Sequence, residues 1–129
     1  MTAAQRVSEQ AFSQALRLGI SAAFGRTLIL YRQQAGRIRT DRNTWVECAP
    51  IGAADLAGTV GPEGWTVQLE IKGATTRETD EQRNWRRIHS ELGAIALVLR
   101  YDAGLSLEEN VERAVLALRV AITARRARG

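Results

Sequence analysis

The spacing of apolar residues divides the chain into helical and extended segments. Between Thr2 and Leu18, apolar residues recur at three- and four-residue intervals, which predicts a helix. Shorter β-branched and apolar runs, bounded by glycine and proline, then predict strands. The predicted strands are Thr27–Arg32, Trp45–Ala49, Gly58–Val60, Trp65–Lys72 and Ile95–Arg100. Gln34-Ala-Gly36 and Gly61-Pro-Glu-Gly64 are predicted turns between them.

Two further helices have recognisable N-terminal signals. Thr79 begins one that ends at Gly93, and Ser106-Leu-Glu-Glu109 is a capping box that opens another. The first is expected to face the core with Trp85, Ile88 and Leu92. The last helix is expected to continue through Val111, Val115, Leu118 and Ile122, with its end and a basic tail within residues 119–129 and fraying of the last five residues. This order predicts a single α/β domain over residues 1–129, with a small central mixed β-sheet flanked by helices.

The composition restricts the class of protein. A chain of 129 residues suits one domain with one apolar core. No apolar run approaches the roughly 18 residues of a membrane span, and the N-terminus lacks the apolar run of a secretory signal. The single cysteine, Cys48, cannot form an internal disulfide, and no Cys/His cluster suits zinc. We therefore expect an intracellular protein without membrane contact.

Arginine dominates the basic residues, with seventeen arginines against one lysine and a net charge of +4. Codon bias in a GC-rich genome would produce this pattern. Phosphate binding would produce it too, because a guanidinium makes bidentate contacts with phosphate oxygens. The composition leaves both interpretations open and is compatible with nucleic acid as a partner.

The segment from Asp55 to Lys72 is the strongest candidate for a site. Glu70 and Lys72 are two residues apart on a predicted strand, so both side chains lie on one face. A hairpin through the Gly61–Gly64 turn could place Asp55 beside Glu70. Two close carboxylates, with the carbonyl of Ile71 as a further oxygen, suit Mg²⁺ or Mn²⁺. A lysine beside such an ion can orient water and stabilise charge on a phosphate, as phosphodiester hydrolysis requires.

The alternative is an ordinary solvated strand, because an E-x-K triplet by itself is common. Lys72 is the only lysine in a chain that otherwise uses arginine. A site that needs a compact ammonium with a shiftable pKa would explain that exception. The sequence leaves both interpretations open at this point.

These residues also resemble a known family. The chain is similar to the VRR-NUC domain in the order of five segments. They are Arg32-Gln-Gln-Ala-Gly36, Gly52-Ala-Ala-Asp55-Leu-Ala-Gly58, Leu69-Glu-Ile-Lys72, Gln82-x-x-Trp85 and Gly93. This domain is a branch of the PD-(D/E)xK nuclease superfamily, and the resemblance covers about residues 9–100. It implies a restriction-endonuclease-like core and a metal-dependent DNA endonuclease. Stand-alone domains of this kind imply a location in the cytoplasm of a bacterium or a phage-infected cell.

The resemblance also implies residue roles. Asp55, Glu70, Lys72 and Gln82 would be catalytic. Asp55, Glu70 and Glu9 of the first helix would be metal ligands, in addition to the carbonyl of Ile71 named above. Gln82 matches the family's glutamine, although Thr79-x-x-Gln82 is itself a capping box that explains Gln82 without a site. Ala54 replaces the proline that many members have before the aspartate, which loosens the turn and removes no ligand.

The remaining expectations concern partners. Branched DNA, of the kind found in a Holliday junction, is the expected substrate and a homodimer the expected assembly, because resolving a four-way junction needs two cuts. The arginines expected to bind phosphate are Arg32, Arg37, Arg39, Arg83 and Arg86. Trp45, Trp65 and Trp85 are expected to pack in the core or hairpins. The alternative function is a non-catalytic nucleic-acid-binding or assembly module that retains the fold.

Overall fold

The computed structural model contains the helices and strands predicted from the sequence and one additional strand. It describes residues 3–33 and 35–128, so Thr2 and Gln34, at which a helix and a turn were expected to begin, lie outside the described residues. Within that part of the chain the helices are α1 (Ala3–Phe24), α2 (Asp80–Glu91) and α3 (Leu107–Ala127). The strands are β1 (Leu28–Arg32), β2 (Arg37–Arg39), β3 (Trp45–Glu47), β4 (Leu56–Val60), β5 (Trp65–Lys72) and β6 (Ile95–Arg100).

Four strands form a mixed central sheet in the order β1-β4-β5-β6. The β1–β4 and β4–β5 pairs are antiparallel, whereas β5 and β6 are parallel and α2 connects them. The other two strands, β2 and β3, form a separate antiparallel ribbon. The prediction of a mixed α/β fold with a central sheet flanked by helices is confirmed.

The apolar core lies between the sheet and the helices α1 and α3. Its members recur at helical spacing on the two helices and at alternate positions on β5, as amphipathic elements require. They include Phe12, Leu16 and Ile20 of α1, Ala114, Leu118 and Ile122 of α3, and Val67, Leu69 and Ile71 of β5. None of the helices in the described part of the chain has the length and hydropathy that a membrane span requires.

The core face predicted for α2 is wrong. No residue of α2 is buried, and Leu92, just after it, is 79% exposed. The helix lies over the other face of β5, which is polar, and Trp85 Nε1 donates a hydrogen bond to Gln68 Oε1 at 3.1 Å. The inner side of α2 therefore contributes hydrogen-bonding groups rather than an apolar stripe.

The helix α3 continues through Ile122 as predicted and ends at Ala127, so Arg125 and Arg126, which were expected to fray, are helical. Arg126 forms an ion pair with Glu63 in the β4–β5 turn, with Nε and Oε2 2.6 Å apart. Arg125 donates a hydrogen bond to the loop before β6. These contacts fix the last turn, and alanine and arginine both favour helix.

The ribbon of β2 and β3 projects from the rest of the fold, and its strands contact mainly each other. Trp45 on β3 is 62% exposed, so it does not pack in the core, and its ring lies against Arg39 within the β2–β3 hairpin. Trp65 and Trp85 are partly buried. Trp45 differs from them because none of the helices within residues 3–33 and 35–128 covers the ribbon.

Candidate active site

Strand β5 has an apolar face and a polar face, and both are buried. Successive side chains of a strand point to opposite sides, so Gln68, Glu70 and Lys72 share the face opposite the core. Glu70 and Lys72 are each only 4% exposed. The alternating pattern by itself predicts a solvated polar face. Burial of this face results from the position of α2 above it.

The hairpin of β4 and β5 brings Asp55 close to Glu70. The antiparallel register pairs Leu56 with Leu69, and extending it by one residue sets Asp55 opposite Glu70. Asp55 Oδ2 accepts a hydrogen bond from the backbone N–H of Ile71 at 2.7 Å. The two carboxyl groups are near enough to interact by charge and by a hydrogen bond. The structure therefore unites the two acids that the hairpin prediction placed side by side.

A hydrogen-bond network connects Glu70, Lys72 and Gln82. Lys72 Nζ donates to Gln82 Oε1 at 2.7 Å and lies 3.4 Å from Glu70 Oε1. Gln82 Nε2 donates to the same Glu70 oxygen at 2.8 Å. Buried charges require such partners, because an unpaired charge in a low-dielectric interior is very costly. The network fixes the positions of the carboxyl group and the ammonium relative to each other.

Burial has a large effect on the acidity of Glu70. It is the main reason that the pKa of Glu70 rises from an ordinary value of 4.5 to about 8. The negative charge of Asp55 and a hydrogen bond with it raise the pKa further, and the ammonium of Lys72 lowers it by less. The pair of acids therefore retains a proton near neutral pH. A cation bound by both carboxylates would favour release of that proton.

Gln82 caps α2 and also forms hydrogen bonds with the buried polar face of β5. The predicted capping box is confirmed, since the Thr79 backbone N–H donates to Gln82 Oε1 at 2.9 Å and Thr79 Oγ1 accepts from Gln82 N at 3.1 Å. The same amide oxygen also accepts from Lys72. One side chain thus connects the N-terminus of α2 to the polar face of β5.

A substitution can separate these two roles of Gln82. Gln82→Ala should reduce the free energy of unfolding by about 2–3 kcal/mol, because Glu70 and Lys72 lose a buried partner as well as the cap. Glu109 is a matched control, since it closes the exposed capping box of α3 with Ser106 and has no buried partner. Glu109→Ala should therefore cost at most about 1 kcal/mol. Urea denaturation measures both values, and equal losses would show that Gln82 is only a cap.

Sequence reasoning missed Gln33, which positions the segment before β4. The Gln33 backbone N–H donates to the carbonyl of Asp55 at 2.8 Å, and Gln33 Nε2 donates to the carbonyl of Ala54 at 3.0 Å. Gln33 Nε2 also lies 3.5 Å from Gln68 Oε1, the oxygen that accepts from Trp85. Strand periodicity could have indicated Gln68, which shares a face with Glu70. The role of Gln33 depends on contacts between distant segments and had no comparable signal.

A cleft of about 300 Å³ opens beside Asp55 on the α1 side of the sheet, and Glu9 and Arg32 are among the residues that line it. Glu9 Oε2 accepts a hydrogen bond from Thr76 Oγ1 at 3.3 Å, in the loop after β5. Residues 3–33 and 35–128 contain no group of three or more His, Cys, Asp or Glu side chains arranged to hold a metal ion. The structure thus does not place Glu9 in one group with Asp55 and Glu70.

The arginines expected to bind phosphate lie in separate places. Arg32 borders the cleft, Arg37 and Arg39 are exposed on β2, and Arg83 and Arg86 belong to α2. Arg86 donates two hydrogen bonds to the carboxylate of Glu78, at 3.0 and 2.8 Å. Arg86 is therefore already engaged within the protein, whereas the arginines of β2 present their side chains to solvent.

The fold and the site define a mixed α/β protein in which a pair of acids and a buried lysine meet at the end of a hairpin. No protein-family model, curated protein or solved structure matches the chain. Its function must therefore be inferred from the chemistry of the site.

Proposed function

We propose that this protein is a Mg²⁺- or Mn²⁺-dependent DNA endonuclease with a restriction-endonuclease-like core. The observation that supports this most directly is the Asp55–Glu70 pair, whose repulsion and burial raise the pKa of Glu70 to about 8, two residues from the buried ammonium of Lys72. Two acids that oppose each other's ionisation do not stabilise the fold as a pair, but together they can bind a cation that relieves their repulsion. The mixed sheet with helices on both faces is compatible with such a core.

The donor set fits a hard divalent cation. Carboxylate and carbonyl oxygens are the ligands that Mg²⁺ and Mn²⁺ prefer, and Asp55, Glu70 and the carbonyl of Ile71 would supply them. Such an ion would polarise the phosphate and acidify a bound water. Glu9 borders the same cleft as Asp55, from where it could reach water around the ion.

Lys72 and Gln82 would act on the phosphodiester through position and charge. Hydrolysis adds water to phosphorus and breaks one P–O bond, so negative charge increases on the phosphate oxygens in the transition state. The ammonium of Lys72 would stabilise that charge, and its bonds to Glu70 and Gln82 hold it in place beforehand. Arg32, at the cleft, would bind a phosphate next to the one that is cut.

Branched DNA and a homodimer belong to the same proposal. A four-way junction needs two cuts, and one domain of this size supplies one site. The helix α3 leaves Leu116 and Val120 61% and 58% exposed, and a second chain could cover them. The exposed arginines of β2 bind phosphates without reading bases, which suits recognition of DNA shape.

The second candidate function is a nucleic-acid-binding or assembly module without catalysis. One observation favours it: the Glu70–Lys72–Gln82 network is nearly closed to solvent, and its polar groups find partners within the protein. A purely structural network would have the same property. This candidate predicts DNA binding without cleavage in any metal.

Cleavage assays on a four-way junction and a matched linear duplex separate the two candidates. With Mg²⁺ or Mn²⁺ the protein should cut the junction, and with a chelator it should not. Asp55→Asn should abolish cleavage and retain DNA affinity, because it removes a ligand and no cationic side chain. Asp102→Asn, at an exposed aspartate after β6, is the control and should cut normally. Cleavage that persists in Asp55→Asn would reject the assignment of the active site to Asp55, and binding without cleavage in both metals would favour the second candidate.

A further inference from the structure

One face of the ribbon formed by β2 and β3 presents two exposed arginines and one exposed aromatic ring, and Glu47 occupies the register position opposite Arg37 on that face. The register pairs Arg39 with Trp45, and Arg37 lies two residues before Arg39, so all three side chains share one face of the ribbon. The guanidinium carbon of Arg39 is 5.9 Å from the centroid of the Trp45 ring. Ile38 and Val46 lie on the opposite face, each 43% exposed. The two faces of the ribbon therefore differ in chemistry.

Hydrogen bonds close the base of the ribbon, and a short stretch of chain connects it to the candidate active site. Gly36 N donates to the carbonyl of Ala49 at 2.7 Å, and Cys48 N donates to the carbonyl of Gly36 at 2.8 Å. The strand β2 begins four residues after Gln33, whose backbone N–H is bonded to the carbonyl of Asp55. A strand of nucleic acid whose phosphate occupied the cleft at Asp55 would therefore have the ribbon next to it.

The chemistry of this face fits an unpaired nucleic-acid strand better than a duplex. An exposed indole costs free energy in water and gains it by stacking on a base, and stacking requires a base whose face is free. Paired bases hide their faces inside the duplex, where only groove edges are accessible. The neighbouring guanidinium groups complement the phosphates of the same strand. The ring and the cations together thus specify bases and phosphates of one flexible strand.

We propose that the β2–β3 ribbon binds an unpaired DNA strand next to the cleavage site, with Trp45 stacked on a base and Arg37 and Arg39 on phosphates. This inference rests on the proposed nuclease function and narrows its substrate to DNA with an unpaired segment, such as a flap, a splayed arm or an open junction centre. The ribbon thereby selects substrates by strand pairing rather than by sequence.

Binding without metal tests the ribbon separately from catalysis. A labelled oligothymidylate of about 12 nucleotides and a blunt duplex of the same length are titrated in a chelator, with affinity read by fluorescence anisotropy. Trp45→Ala should weaken oligothymidylate binding about tenfold, the loss of one stacked base, and weaken duplex binding much less. Trp45→Phe keeps a ring and should recover most of the affinity. Leu18→Ala removes a similarly exposed apolar side chain from α1 and should bind both ligands like the wild type.

Arg37 and Arg39 should contribute to binding by neutralising phosphates, which changes the salt dependence of the affinity. Arg37→Gln combined with Arg39→Gln should reduce the slope of log affinity against log salt by about 0.7 for each phosphate that the protein no longer neutralises. Trp45→Ala should leave that slope unchanged. A pair of exposed arginines outside the ribbon, Arg17 and Arg26, provides the charge-matched control. Equal changes of slope in the two arginine pairs would show that the ribbon has no special share in phosphate binding.

Several outcomes would overturn the proposal. Wild-type affinity of Trp45→Ala for oligothymidylate, equal losses on single strand and duplex, or no recovery in Trp45→Phe would each exclude stacking by the ribbon. Quenching of intrinsic fluorescence by oligothymidylate that persists in Trp45→Phe would place the stacked ring elsewhere. If the wild-type protein binds oligothymidylate through Trp45 but does not cleave DNA, the nuclease proposal fails and the ribbon remains a single-strand binding surface. If the wild-type protein cleaves DNA but Trp45 does not contribute to oligothymidylate binding, the nuclease proposal remains and the ribbon proposal fails.

Discussion

Lys72→Arg should lower the single-turnover rate of DNA cleavage by about a hundredfold, equivalent to roughly 3 kcal/mol of transition-state stabilisation. The substitution keeps the positive charge, but a planar guanidinium cannot occupy the place of a compact ammonium that lies 2.7 Å from Gln82 Oε1 and 3.4 Å from Glu70 Oε1. Lys72→Ala should lose similar activity. DNA affinity should hardly change in Lys72→Arg, because phosphate neutralisation depends mainly on the exposed arginines.

Controls must separate catalysis from folding in these variants. Lys72 is 4% exposed, so a larger side chain also strains the fold, by about 1–3 kcal/mol. Thermal unfolding of each variant shows whether the assay temperature remains below its transition. Arg113→Lys is the matched exchange at an exposed cation of α3 and should cut at the wild-type rate. Wild-type cleavage by Lys72→Arg would make the single lysine a compositional accident.

Without metal, the wild type should lose stability as the pH rises from 5 to 8.5, and Glu70→Gln should not show this loss. The pKa of Glu70 is about 8 in the folded protein and 4.5 ordinarily, so the folded state binds this proton more tightly than the unfolded state does. The stabilisation is fully present below about pH 4.5 and is lost as the pH rises through 8. At roughly 1.4 kcal/mol per pH unit the ceiling is about 5 kcal/mol, and we expect a loss of a few kcal/mol. Glutamine stays neutral and should give a flat profile over this range.

A divalent cation should reverse this loss of stability only where both Asp55 and Glu70 are present. At pH 8.5, Mn²⁺ or Mg²⁺ should raise the wild-type melting temperature, because the ion binds the folded pair of carboxylates and stabilises it by mass action. Glu70→Gln and Asp55→Asn should respond weakly, since each removes one ligand. Glu63→Gln, in an exposed pair with Arg126 at the β4–β5 turn, is the control and should keep the wild-type slope and response. Identical pH profiles for the wild type and Glu70→Gln would contradict the assigned acidity of Glu70.

Local sequence signals determined most of the secondary structure. The strands Trp65–Lys72 and Ile95–Arg100 begin and end at the predicted residues, and the capping boxes at Thr79 and Ser106 open α2 and α3. These signals depend on side-chain periodicity and on hydrogen bonds within a few residues, which the sequence displays directly. The proximity of Asp55 to Glu70 was also predictable, because a short hairpin fixes the register of its strands.

Contacts between distant segments determined the rest. The sequence could not indicate that α2 covers the polar face of β5, since its Trp85, Ile88 and Leu92 pattern predicts an apolar contact. The packing of α2 on β5 buries Glu70 and Lys72. This burial strongly raises the pKa of Glu70, on a strand whose sequence predicts a solvated polar face. Burial depends on which elements pack together, and periodicity does not specify the partner.

The tertiary structure also decided which of the expected residues belong together. Glu9 and Gln82 approach β5 from helices on opposite faces of the sheet, and only Gln82 bonds to Glu70. Trp45 reads in the sequence as an ordinary strand residue, yet none of the helices in the described part of the chain covers its ribbon and the ring is exposed. The sequence by itself determined the elements, the acid pair and the lysine. Packing between remote elements decided their burial, their acidity and their accessible surface, because each of these depends on groups far apart along the chain.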